Sequence, residues 1–387
     1  MHPLCFRSVS RLLFSVLLLL CAACERPEGE IGTELESGRV LGTPDSAGFT
    51  RVLEPRTFSF PDDHGPHPDY RTEWWYVTGN LHGADQRRFG FQVTFFRQGL
   101  KAVAEPRASR WAASQAFMAH FALSDIAAGR YQAYERRARG ALGLAGAQAA
   151  PFRVWLEDWR MIAEQGGGFP WIIDVREGAD ALHLKVWPQK PLVLQGNQGL
   201  SQKSAEAGNA SYYYSATRLN VEGFVTTQGQ TVPVKGLAWL DREWSTSALA
   251  PYQAGWDWFS LQFQDGTELM YYQLRHKDGG IDPYSSGSWI DAQGAKTHLA
   301  RDDVELAPLA YWQAPDGVRY PARWRLTIKP LGKTFLIRPV LADQEVRKSV
   351  RYWEGAVDVF AAEAPDAAVA QGYMELTGYA PGKAKAE

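Results

Sequence analysis

Apolar and polar residues alternate with period two along most of this chain, in short runs separated by turn residues. Trp75 to Leu81 is such a run, and His82-Gly83-Ala84-Asp85 closes it. The next run, Phe89 to Phe96, places Phe89, Phe91, Val93 and Phe95 on one face. Two alternating segments flanking a Gly-containing turn predict a hairpin of half-buried strands. Met118–Leu123, Phe152–Leu156, Trp171–Val175, Leu182–Trp187, Val221–Thr226 and Leu237–Leu240 repeat the pattern. Helical periodicity is scarce, and the best helix candidates are Ala102–Ala116 and Asp343–Val350. The hairpin is also echoed. Glu73-Trp74-Trp75-Tyr76 leads through a turn to Arg97, as Asp257-Trp258-Phe259 leads through Asp265-Gly266-Thr267 to Arg275. The expected fold is therefore all-β: two antiparallel barrel domains packed together, with few short helices. Their seam is expected near Gln228, giving domains 47–228 and 229–380.

The N-terminus departs from this pattern. Arg7 and Arg11 precede a nearly unbroken apolar run, Leu12 to Leu20, and Ala22-Ala23 then precede Cys24. That run is too short to span a bilayer, so residues 1–23 are expected to be a cleaved signal peptide. A cysteine directly after two alanines is what a lipoprotein signal peptidase requires, although Cys21 stands where leucine is usual. Lipidation of Cys24 would tether the mature protein to the periplasmic face of a bacterial membrane, because several acyl chains anchor stably where one holds marginally. Residues 24–46 are polar, acidic and Gly-rich, and are expected to form a flexible tether.

Removing the leader changes the chemistry available. The chain has three cysteines, all at or before position 24, so the mature protein keeps only the lipidated one. Disulfides, thiolate catalysis and cysteine metal sites are excluded together. The mature chain carries 39 basic and 43 acidic side chains, net −4, which argues against nucleic acid as a partner. No dinucleotide fingerprint, P-loop, zincin motif or nucleophile elbow is present, so no cofactor or metal is expected.

Aromatic residues make up 13% of the chain, with 15 Trp against 5 Met. Such side chains fill barrel interiors, but they also wall apolar ligand cavities, inside a barrel or between two. Asp62 to Asp69 contains two histidines, but Gly65, Pro66 and Pro68 make it a turn rather than a metal centre. Glu73, flanked by Trp74, is a candidate acid if desolvated, or a structural partner of Arg71 or Arg97. His120 shares a strand face with Met118 and Ala122. Asp241-Arg242-Glu243-Trp244 ends a strand and is followed by Trp256-Asp257-Trp258. Acids interleaved with aromatics suit hydration of a carbon–carbon double bond, in which a carboxylic acid protonates the alkene and aromatic faces stabilise the cation.

His67 to Leu81 resembles the signature of the AttH-like proteins, grouped with carotenoid 1,2-hydratase. Ala119–Asp125, Tyr212–Leu219 and Asp241–Trp244 extend the resemblance along nearly the whole chain beyond the tether. It implies two lipocalin-like β-barrel domains and, in many members, export beside an ABC-type transporter. In the carotenoid branch the block matching Asp241–Trp244 reads Asp-His-Asn-Trp, and an acid follows a tyrosine further on. Here Arg242 replaces the His, and Tyr271 and Gln273 are the best match for the tyrosine and the acid. The leading expectation is thus a lipid-anchored, non-catalytic protein that holds a long hydrophobic or isoprenoid-like molecule and works with a transporter permease. A hydro-lyase is the runner-up, with Glu73, Asp241, Glu243 and Tyr271 as candidate catalytic residues, and a ligand-free scaffold of an export complex is the third reading. Trp74, Trp75, Tyr76, His120, Arg218, Arg242, Trp244, Trp256 and Trp258 are the expected ligand contacts.

Overall fold

The computed structural model describes residues 47–380, apart from 85–86, 103–108, 110 and 248. The leader, Cys24 and the tether lie outside the described residues, as do 103–108 and 110 of the Ala102–Ala116 segment, whose last two residues, Gln115 and Ala116, are strand and not helix. No α-helix occurs among the described residues. Asp343–Val350, expected to be helical, instead contains a short strand, because Val346 is buried and paired with Tyr352.

β1 (Thr72–Gly83), β2 (Arg88–Gly99), β3 (Gln115–Asp125) and β4 (Arg130–Arg139) form one antiparallel meander. A second meander comprises β5 (Ala145–Gln148), β6 (Arg153–Leu156), β7 (Trp159–Ala163), β8 (Trp171–Glu177) and β9 (Asp180–Pro188). After the short β10 (Val193–Leu194) and β11 (Leu200–Gln202), the long hairpin β12 (Ala210–Thr227) and β13 (Gln230–Ser245) joins the meanders. In it β13 pairs with β1 and β12 with β9. The resulting 13-stranded sheet rolls up until β6 touches β2, β3 and β4, which makes it a nearly closed barrel.

The second sheet has ten strands. Its first half is β14 (Gln253–Phe263), β15 (Glu268–His276), β16 (Ser286–Ile290) and β17 (Lys296–Ala300). Its second half is β18 (Val304–Gln313), β19 (Arg319–Ile328), β20 (Lys333–Pro339), β21 (Glu345–Arg347), β22 (Arg351–Ala361) and β23 (Ala364–Leu376). The halves meet where β14 pairs with β23.

The sheet assignment corrects the boundary expected at Gln228. Gln228 and Gly229 have φ of +50° and +78° and connect Thr227 to its cross-strand partner Gln230. Two left-handed residues between paired strands are the geometry of a tight hairpin, not of a linker. β13 consequently lies inside the first sheet, and the second sheet begins at Gln253.

Period two sorts the side chains into three layers. Trp75, Val77 and Leu81 of β1, with Phe89, Phe91, Val93 and Phe95 of β2, fill the first barrel together with Trp159, Trp171 and Ile173. Phe259, Leu261, Trp324, Ile337 and Trp353 fill the second sheet's own core. The opposite faces meet each other through Tyr76, Tyr213, Trp239, Trp258, Met270 and Tyr373. Polar ties cross this interface: Asn80 donates to the Gly372 carbonyl (3.1 Å), and Gln262 to the carbonyls of Thr217 (2.8 Å) and Ala238 (2.9 Å). The strands' inner faces are thus packed with side chains, and one open space lies between the sheets.

Candidate active site

That space is a cavity of about 130 Å3, close to the roughly 150 Å3 hole that admits one benzene in a protein core. A space of that size has room for a single ring or end group. Strands of both sheets supply its walls, mostly through residues two apart. Trp74 and Tyr76 come from β1, Ser211 and Tyr213 from β12, and Asp241, Glu243 and Ser245 from β13. Trp256 and Trp258 come from β14, Tyr272 and Leu274 from β15, and Glu375 from β23. Met118, His120 and Tyr352 close one side.

Two carboxyls in this wall have pKa values shifted towards neutrality. Asp241 is buried, and burial pushes its carboxyl up to about 7. The opposing pull comes from Ser215 and Tyr213, whose hydroxyls each donate to it at 2.5 Å, and from the Trp239 indole N–H at 2.6 Å. Burial also raises Glu375, to about 7, with Asp241 and Glu243 adding to the rise. The Trp256 indole N–H donates to Glu375 Oε1 at 2.8 Å.

Glu375 faces Glu354 directly across β22 and β23. Glu354 is fully buried and receives the Tyr76 hydroxyl proton at 2.6 Å. Burial first, and Glu375 second, drive its carboxyl well above the ordinary range. Two carboxyls opposed in a low-dielectric interface, with no cation against them among the described residues, cannot both ionise near neutral pH. The pair titrates as one unit and retains a proton there.

The rest of the polar lining is tied down. Lys203 lies 3.2 Å from Glu243 and 4.2 Å from the face of Tyr272, and Ser211 also donates to Glu243. Burial would lower the Lys203 ammonium, but Glu243 outweighs it and holds it above its ordinary value. Nδ1 of His120 lies 2.6 Å from the Tyr352 hydroxyl, and its Nε2 lies 3.2 Å from Glu135. Trp258 crosses Tyr76 edge to face with 5.3 Å between centroids, so aromatic faces and acids share one small space.

The expected site residues divide by strand face. Trp74, Tyr76, His120, Asp241, Glu243, Trp256 and Trp258 reach the cavity. Glu73, Trp75, Arg242 and Trp244 do not, since they occupy the alternate positions of β1 and β13 and point away. Glu73 is clamped by Arg97 (2.8 Å), Arg242 (2.7 Å) and His67 (2.7 Å). Burial alone would raise its carboxyl, but Arg242 and Arg97 hold it well below the ordinary range, so it is not an acid near neutral pH. Arg242 lies 4.1 Å from the Trp75 ring and donates to the carbonyls of Trp74 and Gly65. Trp244 stacks on His67 at 3.7 Å. The Asp62–Asp69 segment is therefore a structural turn, in which burial pushes His64 down to about 3.

Tyr271 is displaced by a single position. It lies in the second sheet's own core, and its neighbour Tyr272 lines the cavity. Arg218 joins the two sheets instead of meeting a ligand, donating to Glu268 at 2.5 Å beside Lys190. The residues not anticipated are Lys203, Tyr213, Tyr272, Tyr352, Glu354 and Glu375. A signal for the two glutamates exists in Tyr352-Trp353-Glu354 and Tyr373-Met374-Glu375-Leu376. There an acid alternates with large side chains in strands whose two faces are both covered.

Fold and cavity together define a lipocalin-like β protein built of two sheets, with an acid-lined aromatic cavity between them. The profile of the AttH-like family matches residues 51–379, and the chain belongs to that family. The crystal structure of an AttH protein from Nitrosomonas europaea is 38% identical, with TM-score 0.77, covering 86% of this chain and 100% of that one. The crystal structure of kievitone hydratase from Nectria haematococca shares the fold at 14% identity and TM-score 0.64, over 89% of this chain and 99% of that one. Kievitone hydratase from Fusarium solani subsp. phaseoli is 23% identical over 156 residues, which make up 35% of this chain and 39% of that protein.

Proposed function

We propose that this protein is a hydro-lyase that adds water to a carbon–carbon double bond at the apolar end of its substrate. The observation that carries the reading is the opposed pair Glu354 and Glu375, with Glu375 open to a cavity walled by tryptophan and tyrosine. The incomplete match to the hydratase motif, with Arg242 in place of the His and Gln273 in place of the later acid, favours a non-catalytic carrier, and this pair supplies an acid from other strands. The match to a kievitone hydratase supports the same chemistry.

In the forward reaction Glu375 gives its proton to the less substituted alkene carbon. A C–H bond forms as the π bond breaks, and positive charge develops on the more substituted carbon. Trp74, Trp256 and Trp258 offer aromatic faces to that charge. Water then forms the C–O bond and passes a proton to Asp241, whose carboxyl is part-ionised near neutrality. One proton leaves Glu375 and one arrives at Asp241, so exchange with solvent restores both. The product is an alcohol.

The test is incubation of the purified protein with prenylated phenols and acyclic isoprenoids in 18O-labelled water, followed by mass spectrometry. The expected result is a product heavier than the substrate by one labelled water. Tight retention of the same compounds, with no label incorporated by any of them, would replace this reading with that of a carrier.

We further propose that Cys24 carries the lipid that holds this activity at a membrane; the apolar run ending in Ala22-Ala23 supports it. Cys24→Ser is expected to move the protein from the membrane pellet to the soluble fraction. An unchanged distribution, with no acyl mass on the N-terminal peptide of the unaltered protein, rules the anchor out.

A further inference from the structure

A second hollow, of about 450 Å3, adjoins the cavity at the ends of β1 to β4. Phe96 and Met118 line both spaces. The cavity is bordered by acids and rings, whereas this groove is bordered by Arg97, Arg137 and Arg139.

Arg97 belongs to the framework on three of its sides. Its Nε donates to Glu73, and its Nη2 to the carbonyls of His67 and Tyr70 at 2.7 Å each. Its remaining nitrogen, Nη1, is buried and has no hydrogen-bond partner. The residue is 1% exposed. Arg97 is set opposite Glu73 across β1 and β2, so it lies on the barrel face of the sheet and borders the groove from behind Phe96 and Met118.

Arg137 and Arg139 are two apart on the edge strand β4, opposite Met118 and Ala116, and so share a face. Arg137 contacts Glu135 at 3.1 Å but stays 60% exposed, and Arg139 has no carboxylate partner among the described residues. Among the described residues the one acid lining the groove is Glu73, already matched by Arg97 and Arg242.

We infer that the groove is an anion subsite and that the ligand is an amphiphile. Its carboxylate or phosphate head binds Arg137 and Arg139, and its apolar tail passes Met118, on the same face of the sheet, so that the end group enters the cavity. Met suits the passage, since an unbranched thioether changes rotamer at little cost. The small cavity supports the same division, because it accommodates an end group and leaves the rest of a longer molecule to lie elsewhere. The inference rests on the cavity as the place of an apolar end group, and not on turnover.

The experiment measures quenching of tryptophan fluorescence in the Glu375→Gln protein, so that no chemistry intervenes. The probes are farnesyl phosphate, farnesoic acid and farnesol, which share one tail. At least one anionic probe is expected to bind about tenfold or more tighter than farnesol, the effect of a charge-assisted hydrogen bond. Which anion binds tighter distinguishes a phosphate head from a carboxylate. Arg137→Glu with Arg139→Glu should bring the anion-to-farnesol ratio close to one, and Arg325→Glu, on the exposed face of β19, should leave it intact. In the Glu375→Gln protein, raised ionic strength should shrink the same ratio, a readout that needs no altered arginine. Equal binding of all three probes, or a ratio that survives the double charge reversal, overturns the inference. If oxygen label is never incorporated but the ratio holds, the subsite stands and only the hydro-lyase reading falls.

Discussion

Arg242→Ala is expected to destabilise the protein by about 3–5 kcal/mol, the cost of removing one partner from a buried ion pair. Arg242 is fully buried, and its side chain satisfies Glu73 together with the carbonyls of Trp74 and Gly65. Alanine would leave the buried Glu73 with Arg97 and His67 alone and take the Arg242 donors from both carbonyls. The measurement is the denaturant midpoint at constant slope. The exposed pair Arg160 and Asp174 serves as the control, and Arg160→Ala should change stability by about 1 kcal/mol or less. A loss of that small size in Arg242→Ala would mean that the clamp is not holding Glu73. The clamp also has a pH signature. The Glu73 carboxyl lies well below its ordinary value of 4.5, so its contribution is complete above that pH and is lost as pH falls towards the folded value. The wild-type protein should therefore lose stability more steeply than Glu73→Gln as pH drops below 4.5.

Glu375→Gln is expected to lower the hydration rate by about a hundredfold to ten-thousandfold, the range for loss of a general acid. The same substitution should leave the protein folded or make it more stable. Glutamine keeps the acceptor for the Trp256 indole and replaces a second carboxyl beside Glu354 with an N–H donor. Because the acid must be protonated, the wild-type rate should fall as pH rises through about 7. Stability follows the same direction. Glu375 has a folded pKa raised from 4.5 to about 7, so its contribution is full below 4.5 and is lost as pH rises through about 7. Stability of the Glu375→Gln protein should be flatter over that interval. A variant with full activity and an unchanged pH profile would remove Glu375 from the role of proton donor.

The acids of this site were unequally legible in the sequence. Asp241 and Glu243 are legible because they sit beside Trp244 and precede a second aromatic cluster, and both line the cavity. Glu73 has the same local signal, yet it faces the other way. Its partner Arg97 is 24 residues distant and Arg242 is 169 residues distant. Proximity to tryptophan is a local property, whereas an arginine clamp is assembled by three strands that meet only in the sheet. Glu354 and Glu375 passed unnoticed for the complementary reason, since each is a single acid in an apolar strand and only the β22–β23 register sets them opposite one another.

Alternation by itself determined that this is an all-β chain, where its main hairpins run and which residues share a face. A strand's side-chain period is fixed by backbone geometry and needs no knowledge of its neighbours. Sequence left open which face meets which. Both faces of β1 and β13 are apolar enough to be buried, so neither pattern marks one side as barrel core and the other as cavity wall. That choice was made only when the hairpin β12–β13 closed the first sheet and the second sheet packed against its outer surface. Burial depends on contacts between residues hundreds of positions apart, and the acidity of the site depends on burial.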